Sequence, residues 1–201
     1  MRTKKVFLLL NGDAPKVIPN LKYYDLVCAI DGAYNHFKSL NIEPDLVTGD
    51  FDSIDQIPDS IEVINTPDQN FTDFEKALQL LKERGFTQIE VYGGSGKEHD
   101  HFLGNLSTAL LWKNELQITF FDDFGRYFFI ENKFKTNGVL GKNISLIPFP
   151  NTIGIRTKGL KFPLNNEDLT FGKRIGTRNE AYDNEISINY LSGELLIYIS
   201  N

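Results

Sequence analysis

Acidic side chains crowd together directly after a short apolar run. The stretch DLVTGDFDSI, residues 45–54, breaks at Gly49 and then places Asp50, Asp52 and Ser53 within four positions. Carboxylates this close together repel one another unless a positive group lies between them. The spacing therefore predicts a bound cation, and the surrounding residues indicate which one.

Further acids and glycines follow other apolar runs of the chain. They occur at Asp31-Gly32, Gly93-Gly94-Ser95-Gly96 and Asp122-Asp123, while Asp68, Asp73 and Asp100 lie near predicted helix starts. In open α/β sheets, ligands bind at the carboxyl ends of the strands, so we expect these side chains to converge on one rim. Glycine turns let backbone N–H groups approach phosphate oxygens, and helix N-termini add partial positive charge. Hard oxygen ligands beside such turns predict Mg²⁺ that carries a polyphosphate.

Each of these features also has a purely structural interpretation. Asp is common in turns at strand ends, and Thr72 with Asp73 could form a helix cap with an acid that compensates the helix dipole. The run Gly93–Gly96 lacks the spacing of a Walker loop. Zinc is disfavoured, because neighbouring positions in the run His99–His101 do not all face one way on a helix. Only the combination of features favours a metal–polyphosphate site.

Alternating strands and helices must position these side chains in the first half of the chain. Short runs that are apolar on both faces suit buried parallel strands. The sequence predicts six of them, over Val6–Leu10, Leu26–Ile30, Leu46–Thr48, Ile61–Ile64, Ile89–Tyr92 and Leu116–Phe121. One helix is predicted over Thr72–Arg84, opening on a capping box of Thr72 and Glu75, and another over Phe102–Trp112. This alternation predicts an α/β domain with a mostly parallel sheet over residues 1–123.

The character of the sequence changes after residue 123. Helical periodicity ends, and short β-rich stretches separated by turn residues follow, over residues 126–131, 143–149, 153–158, 185–190 and 194–200. Several short strands with turn signals between them are typical of an all-β sandwich. We therefore predict a small C-terminal β-sandwich domain over residues 124–201.

Composition excludes some classes of protein. The chain of 201 residues has a formal net charge of −6, which argues against non-specific binding to nucleic acid or to an anionic membrane. Cys28 is the only cysteine, so no intramolecular disulfide is possible, and its apolar neighbours predict a buried thiol. The apolar run near the N-terminus covers only five residues, too few for a signal-peptide core or a membrane span. These observations predict a cytoplasmic protein.

Five stretches carry a resemblance to a known family. They are DGAYNH at 31–36, PDLVTGDFDSI at 44–54, TPDQNFTDFEKAL at 66–78, DHFLGNL at 100–106 and GTRNEA at 176–181. Together they resemble the thiamine pyrophosphokinase family, which transfers the β,γ-diphosphate of ATP to the hydroxyl of thiamine and releases AMP. The resemblance spreads over nearly the whole chain in the expected order.

The resemblance implies an N-terminal α/β domain, a C-terminal β-sandwich, and a homodimer with active sites between subunits. It also implies Mg²⁺ and ATP as requirements. Four acids would handle Mg²⁺ and phosphate: Asp50, Asp52, Asp73 and Asp100, the first three as metal ligands. The nucleotide pocket would be lined by Asp31, Gly49, Ser53, Asp68, Gln69 and Thr72. Thr177 and Asn179, in a predicted turn, would hold the thiamine pyrimidine.

The chain departs from the family pattern at two places. The family usually has an Arg before the Asp-His pair, whereas Glu98 stands here and Lys97 precedes it. Lys97 is either the phosphate cation or a solvated surface lysine. Arg178 stands where the family more often has Ser, between Thr177 and Asn179.

In phosphoryl-type transfer a protein contributes mainly by positioning the reacting groups and neutralising the charge of the phosphates. Asp73 or Asp100 could accept the proton of the thiamine hydroxyl, and the sequence does not distinguish a base from a metal ligand. Two other functions fit the same motifs. One is a Mg²⁺-dependent, nucleotide-using transferase that acts on another alcohol, and the other is a non-catalytic module that binds thiamine or nucleotide.

Overall fold

The computed structural model describes residues 4–51 and 59–201 of the chain. Asp52 and Ser53, two of the predicted site residues, lie outside these ranges. The chain divides into two compact units, Met1–Asp123 and Phe124–Asn201. The first unit contains all the helices of the described residues, and the second is built from strands alone.

The first unit is built on a parallel sheet. Its strands are β1 (Lys5–Leu9), β2 (Leu26–Ile30), β3 (Leu46–Gly49), β4 (Glu62–Asn65), β5 (Gln88–Tyr92) and β6 (Gln117–Asp122). They follow the order β4-β3-β2-β1-β5-β6, and every pairing between them is parallel. The predicted sheet is confirmed. The order runs outward in opposite directions from β1 and β5, which is the arrangement that opens a crevice at the carboxyl ends of these two strands.

Three α-helices accompany this sheet, α1 (Ala33–Ser39), α2 (Asp73–Glu83) and α3 (His99–Trp112), with a short 3-10 helix over Leu21–Tyr23. The predicted cap of α2 is confirmed, because the Thr72 hydroxyl accepts the backbone N–H of Glu75 at 3.2 Å. The apolar face of α2 is buried as its periodicity predicts. The sequence did not predict α1, whose seven residues are too few to show a helical period.

Apolar side chains at alternating strand positions form the core of the first unit. Phe7, Ala29 and Val47 belong to one cluster with Phe37 of α1. Leu8, Leu46, Leu78 and Leu81 are fully buried as well. Strands β1, β2 and β3 are thus buried on both faces, as is usual for parallel sheets, whereas β4 lies at the edge of the sheet and is mostly exposed. None of the described helices is both long and apolar enough to span a membrane.

The second unit is all-β, which confirms the predicted class. Its strands are β7 (Gly125–Ile130), β8 (Lys133–Asn137), β9 (Asn143–Lys158), β10 (Asn165–Thr170), β11 (Gly176–Glu180), β12 (Glu185–Asn189) and β13 (Ser192–Ser200). The long strand β9 is central: β13 and β12 pair with one edge and β11 and β10 with the other. The strands enclose an apolar cluster that includes Ile144, Ile155, Ile186 and Ile197.

Two predictions for the second unit were wrong. The stretches 143–149 and 153–158 are one strand of 16 residues, although Pro148, Pro150 and Gly154 suggest a break there. The GTRNEA segment was predicted as a turn, but Gly176–Glu180 is strand β11. A shift in its register against β9 lies between Gly176 and Asn179, so a bulge gives the segment its turn-like sequence.

Candidate functional site

A pocket of about 560 Å³ lies at the carboxyl ends of the strands in the first unit. Its walls come from the ends of β1, β2 and β5 and from the first turns of α2 and α3. The lining residues with polar side chains are Asn11, Asp31, Gln69, Asn70, Thr72, Asp73, Lys76, Lys97, Glu98, Asp100, His101 and Asn105. The pocket therefore lies at the crevice that the strand order predicts.

The floor of the pocket is formed where the loops after β1 and β5 stay paired beyond the strands. The N–H of Gly12 donates to the carbonyl of Gly93 at 2.9 Å, and that of Asp13 to the carbonyl of Ser95 at 2.8 Å. Gly93 has a φ of +65°, and a Cβ at this position would lie 2.3 Å from the carbonyl oxygen of Leu10. Only glycine fits so close an approach of two backbones. The paired loops form a glycine-rich surface.

Asp31 enters the pocket from the end of β2. Its backbone is in the left-handed region, with φ of 45°, and its N–H donates to the carbonyl of Thr48 at 2.9 Å. Gly49 does not line the pocket. A Cβ on Gly49 would lie 2.9 Å from the Cβ of Asp31, so the absent side chain allows the end of β3 to close against Asp31.

Asp50 and Asp68 do not line the pocket either, but both contact residues beside it. Gln69, a lining residue, approaches Asp50 with its Nε2 3.4 Å from Oδ2, a long hydrogen bond. Asp68 accepts the backbone N–H of Asn70 at 2.9 Å and its side-chain N–H at 2.8 Å. Asp68 thus closes a tight turn in the loop that carries Gln69.

The first turn of α2 contributes a carboxylate with a lysine partner. Asp73 lines the pocket, and its Oδ1 lies 2.7 Å from Nζ of Lys76. The lysine side chain is only 9% exposed, whereas that of Asp73 is 36% exposed. Asp73 therefore combines a fixed ion pair with access to the pocket.

The first turn of α3 contributes Asp100, and the loop before it contributes Lys97. Asp100 accepts the backbone N–H of His101 at 2.9 Å. Lys97 has a left-handed backbone, with φ of 51°, and its Nζ donates to Oδ1 of Asn11 at 3.0 Å. The ammonium of Lys97 is therefore held beside the loop after β1 at the pocket wall.

Of the predicted residues, the pocket brings together Asp31, Gln69, Thr72, Asp73, Lys97 and Asp100. Within residues 4–51 and 59–201, no three His, Cys, Asp or Glu side chains are grouped closely enough to hold a metal ion. Asp52, one of the three predicted metal ligands, is not among the residues searched. The zinc alternative gains no support from the described histidines.

Sequence reasoning missed several lining residues, among them Asn11, Gly12, Lys76 and Asn105. Asn11 and Gly12 follow β1 as the other polar residues follow their strands, so the same rule could have found them. Lys76 lies three positions after Asp73 on a helix, a spacing that brings side chains together. Asn105 donates to the carbonyl of Gly94 at 2.9 Å, a contact with no local signal in the sequence.

In the second unit, Asn179 is engaged with the backbone of another segment. Its Oδ1 accepts the N–H of Phe162 at 3.1 Å, and its Nδ2 donates to the carbonyl of Phe162 at 2.7 Å. The ring of Phe162 is 67% exposed. Asn179 thus holds an aromatic side chain at the surface, and Thr177 lies exposed two residues earlier on the same strand.

Two family models match this chain. The model for the thiamin pyrophosphokinase catalytic domain matches residues 20–120, and the model for the thiamin pyrophosphokinase vitamin B1 binding domain matches residues 131–195. The first match alone covers half of the chain. This chain belongs to the thiamine pyrophosphokinase family.

Members of the thiamine pyrophosphokinase family resemble the chain over most of its length. Thiamin pyrophosphokinase 1 of Caenorhabditis elegans is 30% identical over 79% of this chain and 72% of its own length. Thiamine pyrophosphokinase of Bacillus subtilis (strain 168) is 28% identical over 96% of this chain and 97% of its own length. A crystal structure of the thiamine pyrophosphokinase from Bacillus subtilis superimposes with a TM-score of 0.84 at 26% identity, covering 98% of this chain and 99% of that one.

The two departures from the thiamine pyrophosphokinase pattern have different settings. Glu98 is the N-cap residue of α3, and its side chain makes no capping hydrogen bond. Arg178 lies in the β11 bulge with φ of 54°, and its backbone N–H donates to the hydroxyl of Ser145 at 3.0 Å. The backbone at Arg178 is therefore fixed by Ser145, independently of the residue type at position 178.

Proposed function

We propose that this chain transfers the β,γ-diphosphate of ATP to the hydroxyl of thiamine, giving thiamine diphosphate and AMP. The observation that carries the proposal is the pocket at the carboxyl edge of the parallel sheet, where acids lie beside glycine-rich loops and two helix starts. Its volume is within the range of small-molecule sites. Family matches over both units support the same activity.

The chain itself supplies groups suited to the phosphates of ATP. Backbone N–H groups of the glycine-rich loop after β5 and of the first turns of α2 and α3 are the donors that such helix starts offer to anions. Lys97 adds a point charge, held by Asn11 at the pocket wall. Asp31, Gly49, Ser53, Asp68, Gln69 and Thr72 shape the nucleotide pocket in this proposal.

Mg²⁺ is the proposed metal, and carboxylate oxygens of Asp50, Asp52 and Asp73 would hold it. The donor type fits, because Mg²⁺ prefers carboxylates and phosphate oxygens as ligands. The metal, when bound, offsets negative charge on the phosphates. Gln69 contributes by orienting Asp50, since its side-chain amide reaches that carboxylate.

A carboxylate of the pocket receives the proton that thiamine loses as its hydroxyl attacks the β-phosphorus. Asp73 and Asp100 are the two candidates. General-base catalysis of this kind contributes roughly 10²–10⁴-fold to the rate. AMP leaves with the electron pair of the broken phosphoanhydride bond.

Thiamine is a cation at its thiazolium ring, and the first unit is acidic. Residues 1–123 carry 20 Asp and Glu against 11 Lys and Arg. Such a field favours a cationic substrate. For the pyrimidine ring we propose Thr177 and Asn179, with Asn179 acting through the backbone of Phe162 and its exposed ring.

We also propose that the protein works as a homodimer in the cytoplasm, with thiamine held between subunits. The experiment mixes an Asp73→Asn chain with an Asn179→Ala chain. If the sites are shared, each mixed dimer has one site with both changes and one site with neither, so activity partly returns at a thiamine concentration well below the KM of the Asn179→Ala chain. Light scattering that shows a monomer at the assay concentration, together with full activity, would contradict this assembly.

The central test is AMP formation from ATP and thiamine with Mg²⁺, with a control that lacks thiamine. AMP that depends on thiamine supports the proposal. AMP formation with other alcohols in place of thiamine would favour the alternative transferase. Nucleotide or thiamine binding without AMP formation would favour a non-catalytic binding module.

A further inference from the structure

Lys76 of α2 is a largely buried charged group at the wall of the pocket. Its side chain is only 9% exposed, and its Nζ lies 2.6 Å from the carbonyl oxygen of Thr66, 3.0 Å from that of Asp68 and 2.7 Å from Oδ1 of Asp73. A lysine ammonium is seldom buried unless it is paired. Two backbone carbonyls accept hydrogen bonds from this ammonium and the carboxylate of Asp73 pairs with its charge, so the three oxygens form a specific binding site for one side chain.

The three oxygen partners of Lys76 belong to three successive segments on the α2 side of the pocket. Thr66 follows β4 and is bound to β3, because its N–H donates to the carbonyl of Gly49 at 2.9 Å. Asp68 closes the turn before Gln69 through its contacts with Asn70. Asp73 begins α2. One ammonium therefore joins the strand end, the loop and the helix start.

These same segments carry groups of the proposed site. Gln69 follows Asp68 directly and reaches Asp50 with its amide. Asp73 is a proposed ligand or base, and Thr72 caps the helix beside it. A displacement of the loop by the loss of its ammonium would move Gln69 and Asp73 together.

A second lysine on the same helix shows what an ordinary surface lysine does here. Lys82 is 47% exposed and pairs with Glu115, far along the helix from the pocket. Exposed pairs of this kind contribute little to stability. Lys82 is therefore a matched control for the loss of one ammonium from α2.

We propose that Lys76 is a positioning residue for the proposed diphosphate transfer, holding Asp73 and the loop that carries Gln69 in the arrangement that binds the nucleotide. The proposal rests on the proposed function for its chemistry. Lys76 acts through its neighbours, so its replacement should change nucleotide affinity and turnover in chains that remain folded. A residue that only stabilises the fold would change neither once folding is complete.

The experiment compares Lys76→Met, Lys76→Arg and Lys82→Met with the unchanged full-length chain. Nucleotide affinity is measured by calorimetric titration with ATP and Mg²⁺ without thiamine, and turnover by AMP formation, both well below the unfolding temperature. We expect Lys76→Met to lower kcat/KM for ATP by about 10²-fold, the size of effect that a small misplacement of reacting groups produces. Lys82→Met should stay within about twofold of the unchanged chain.

The Lys76→Arg variant provides a second test in case the Lys76→Met chain does not fold. Arginine keeps the charge, but its planar fork does not match the three acceptors around a compact ammonium. We expect it to fold and to bind ATP about tenfold more weakly. Combining Lys76→Met with Asp73→Asn should cost less than the sum of the two changes, because both act on one group.

The outcomes separate this proposal from the proposed function. A folded Lys76→Met or Lys76→Arg chain with normal ATP affinity and normal turnover would overturn the role of Lys76 alone. An unchanged chain that binds ATP but forms no AMP with thiamine would overturn the proposed function. The titration would then still decide the role of Lys76, by whether its variants bind ATP more weakly.

Discussion

The two units of the chain differ in charge and in how they use polar side chains. Residues 1–123 carry 20 Asp and Glu against 11 Lys and Arg, whereas residues 124–201 carry 7 against 10. In the first unit, acids such as Asp31, Asp73 and Asp100 line an open pocket at strand and helix ends. Parallel strands produce such an edge because their carboxyl ends all lie on one side.

In the second unit, polar side chains hold backbone segments in place. Asn179 binds both backbone groups of Phe162, Thr157 accepts the N–H of Leu164, and Asp168 accepts that of Gly154. Antiparallel strands joined by long loops leave backbone groups that need partners. We therefore expect substitutions in the first unit to change turnover and those in the second to change substrate affinity and local order.

The largest expected effect is that of Asp73→Asn. The amide keeps the size of the side chain but removes its charge, so turnover should fall by about 10²–10⁴-fold. Glu83→Gln, at the exposed end of the same helix, is the control and should leave turnover within about twofold. The measurement is AMP formation at limiting Mg²⁺. Near-normal turnover of Asp73→Asn would mean that Asp73 is neither the base nor a required metal ligand.

The next effect concerns the close approach of the two loops at the pocket floor. Gly93→Ala forces a Cβ to within 2.3 Å of the Leu10 carbonyl, whereas Gly172→Ala in the second unit has a similar positive φ and open space around it. We expect Gly172→Ala to lower the free energy of unfolding by about 1 kcal/mol from backbone strain, and Gly93→Ala by about 2–4 kcal/mol from strain and overlap.

Urea unfolding followed by circular dichroism measures both losses. Trp112, the only tryptophan, lies in α3, so its fluorescence reports on the first unit. Equal losses for the two glycines would contradict the close pairing of the loops after β1 and β5.

A smaller effect is expected for Asn179→Ala in the second unit. The change removes two hydrogen bonds to Phe162, worth about 1 kcal/mol each, so KM for thiamine should rise by at most about 30-fold. Turnover and KM for ATP should stay nearly unchanged. Asn184→Ala, another asparagine of the second unit, is the control. A large fall in turnover with unchanged KM for thiamine would reverse the division of roles between the units.

Local patterns were sufficient to predict the strands and α2 of the first unit. Consecutive apolar residues identify buried parallel strands, and the cap at Thr72 with the apolar stripe behind it identifies the helix. The acids at the pocket follow from these elements, because strand ends and helix starts meet at one edge of the sheet. Asp31, Asp73 and Asp100 line the pocket for that reason, whereas the family resemblance predicted Gln69, Thr72 and Lys97.

The features that could not be predicted depend on contacts distant in sequence. Lys97 and Asn11 meet across 86 positions, and Asn179 meets Phe162 across 17. Two of the three partners of Lys76 are backbone carbonyls, which carry no sequence signal. Strand β11 looks like a turn because its bulge tolerates Gly176 and a left-handed Arg178. Tertiary pairing, rather than local preference, decides each of these cases.

The smallest expected effect concerns pH and the core of the first unit. Cys28 on β2 is fully buried, and burial raises the pKa of its thiol well above the ordinary value of about 8.5. Above about pH 8.5 the unfolded chain loses the thiol proton of Cys28, while the folded chain keeps it. The unfolded state then holds fewer protons, so the free energy of unfolding falls as pH rises. The second unit has no cysteine. Burial raises the pKa of its Tyr190 to about 12, so this tyrosine keeps its proton in the folded chain at the pH values where the thiol of Cys28 matters.

Cys28→Ala isolates this contribution, because Tyr92, whose pKa burial raises to about 12, is present in both chains and cancels in the difference. The alanine chain should be less stable than the unchanged chain at neutral pH, since a buried side chain is shortened. Between about pH 8 and pH 9.5 the difference in free energy of unfolding should shrink by about 1 kcal/mol. Urea unfolding at several pH values, followed by Trp112 fluorescence, measures it. A difference that stays constant with pH would mean that the thiol ionises equally in both states, and that the sheet of the first unit opens to solvent at Cys28.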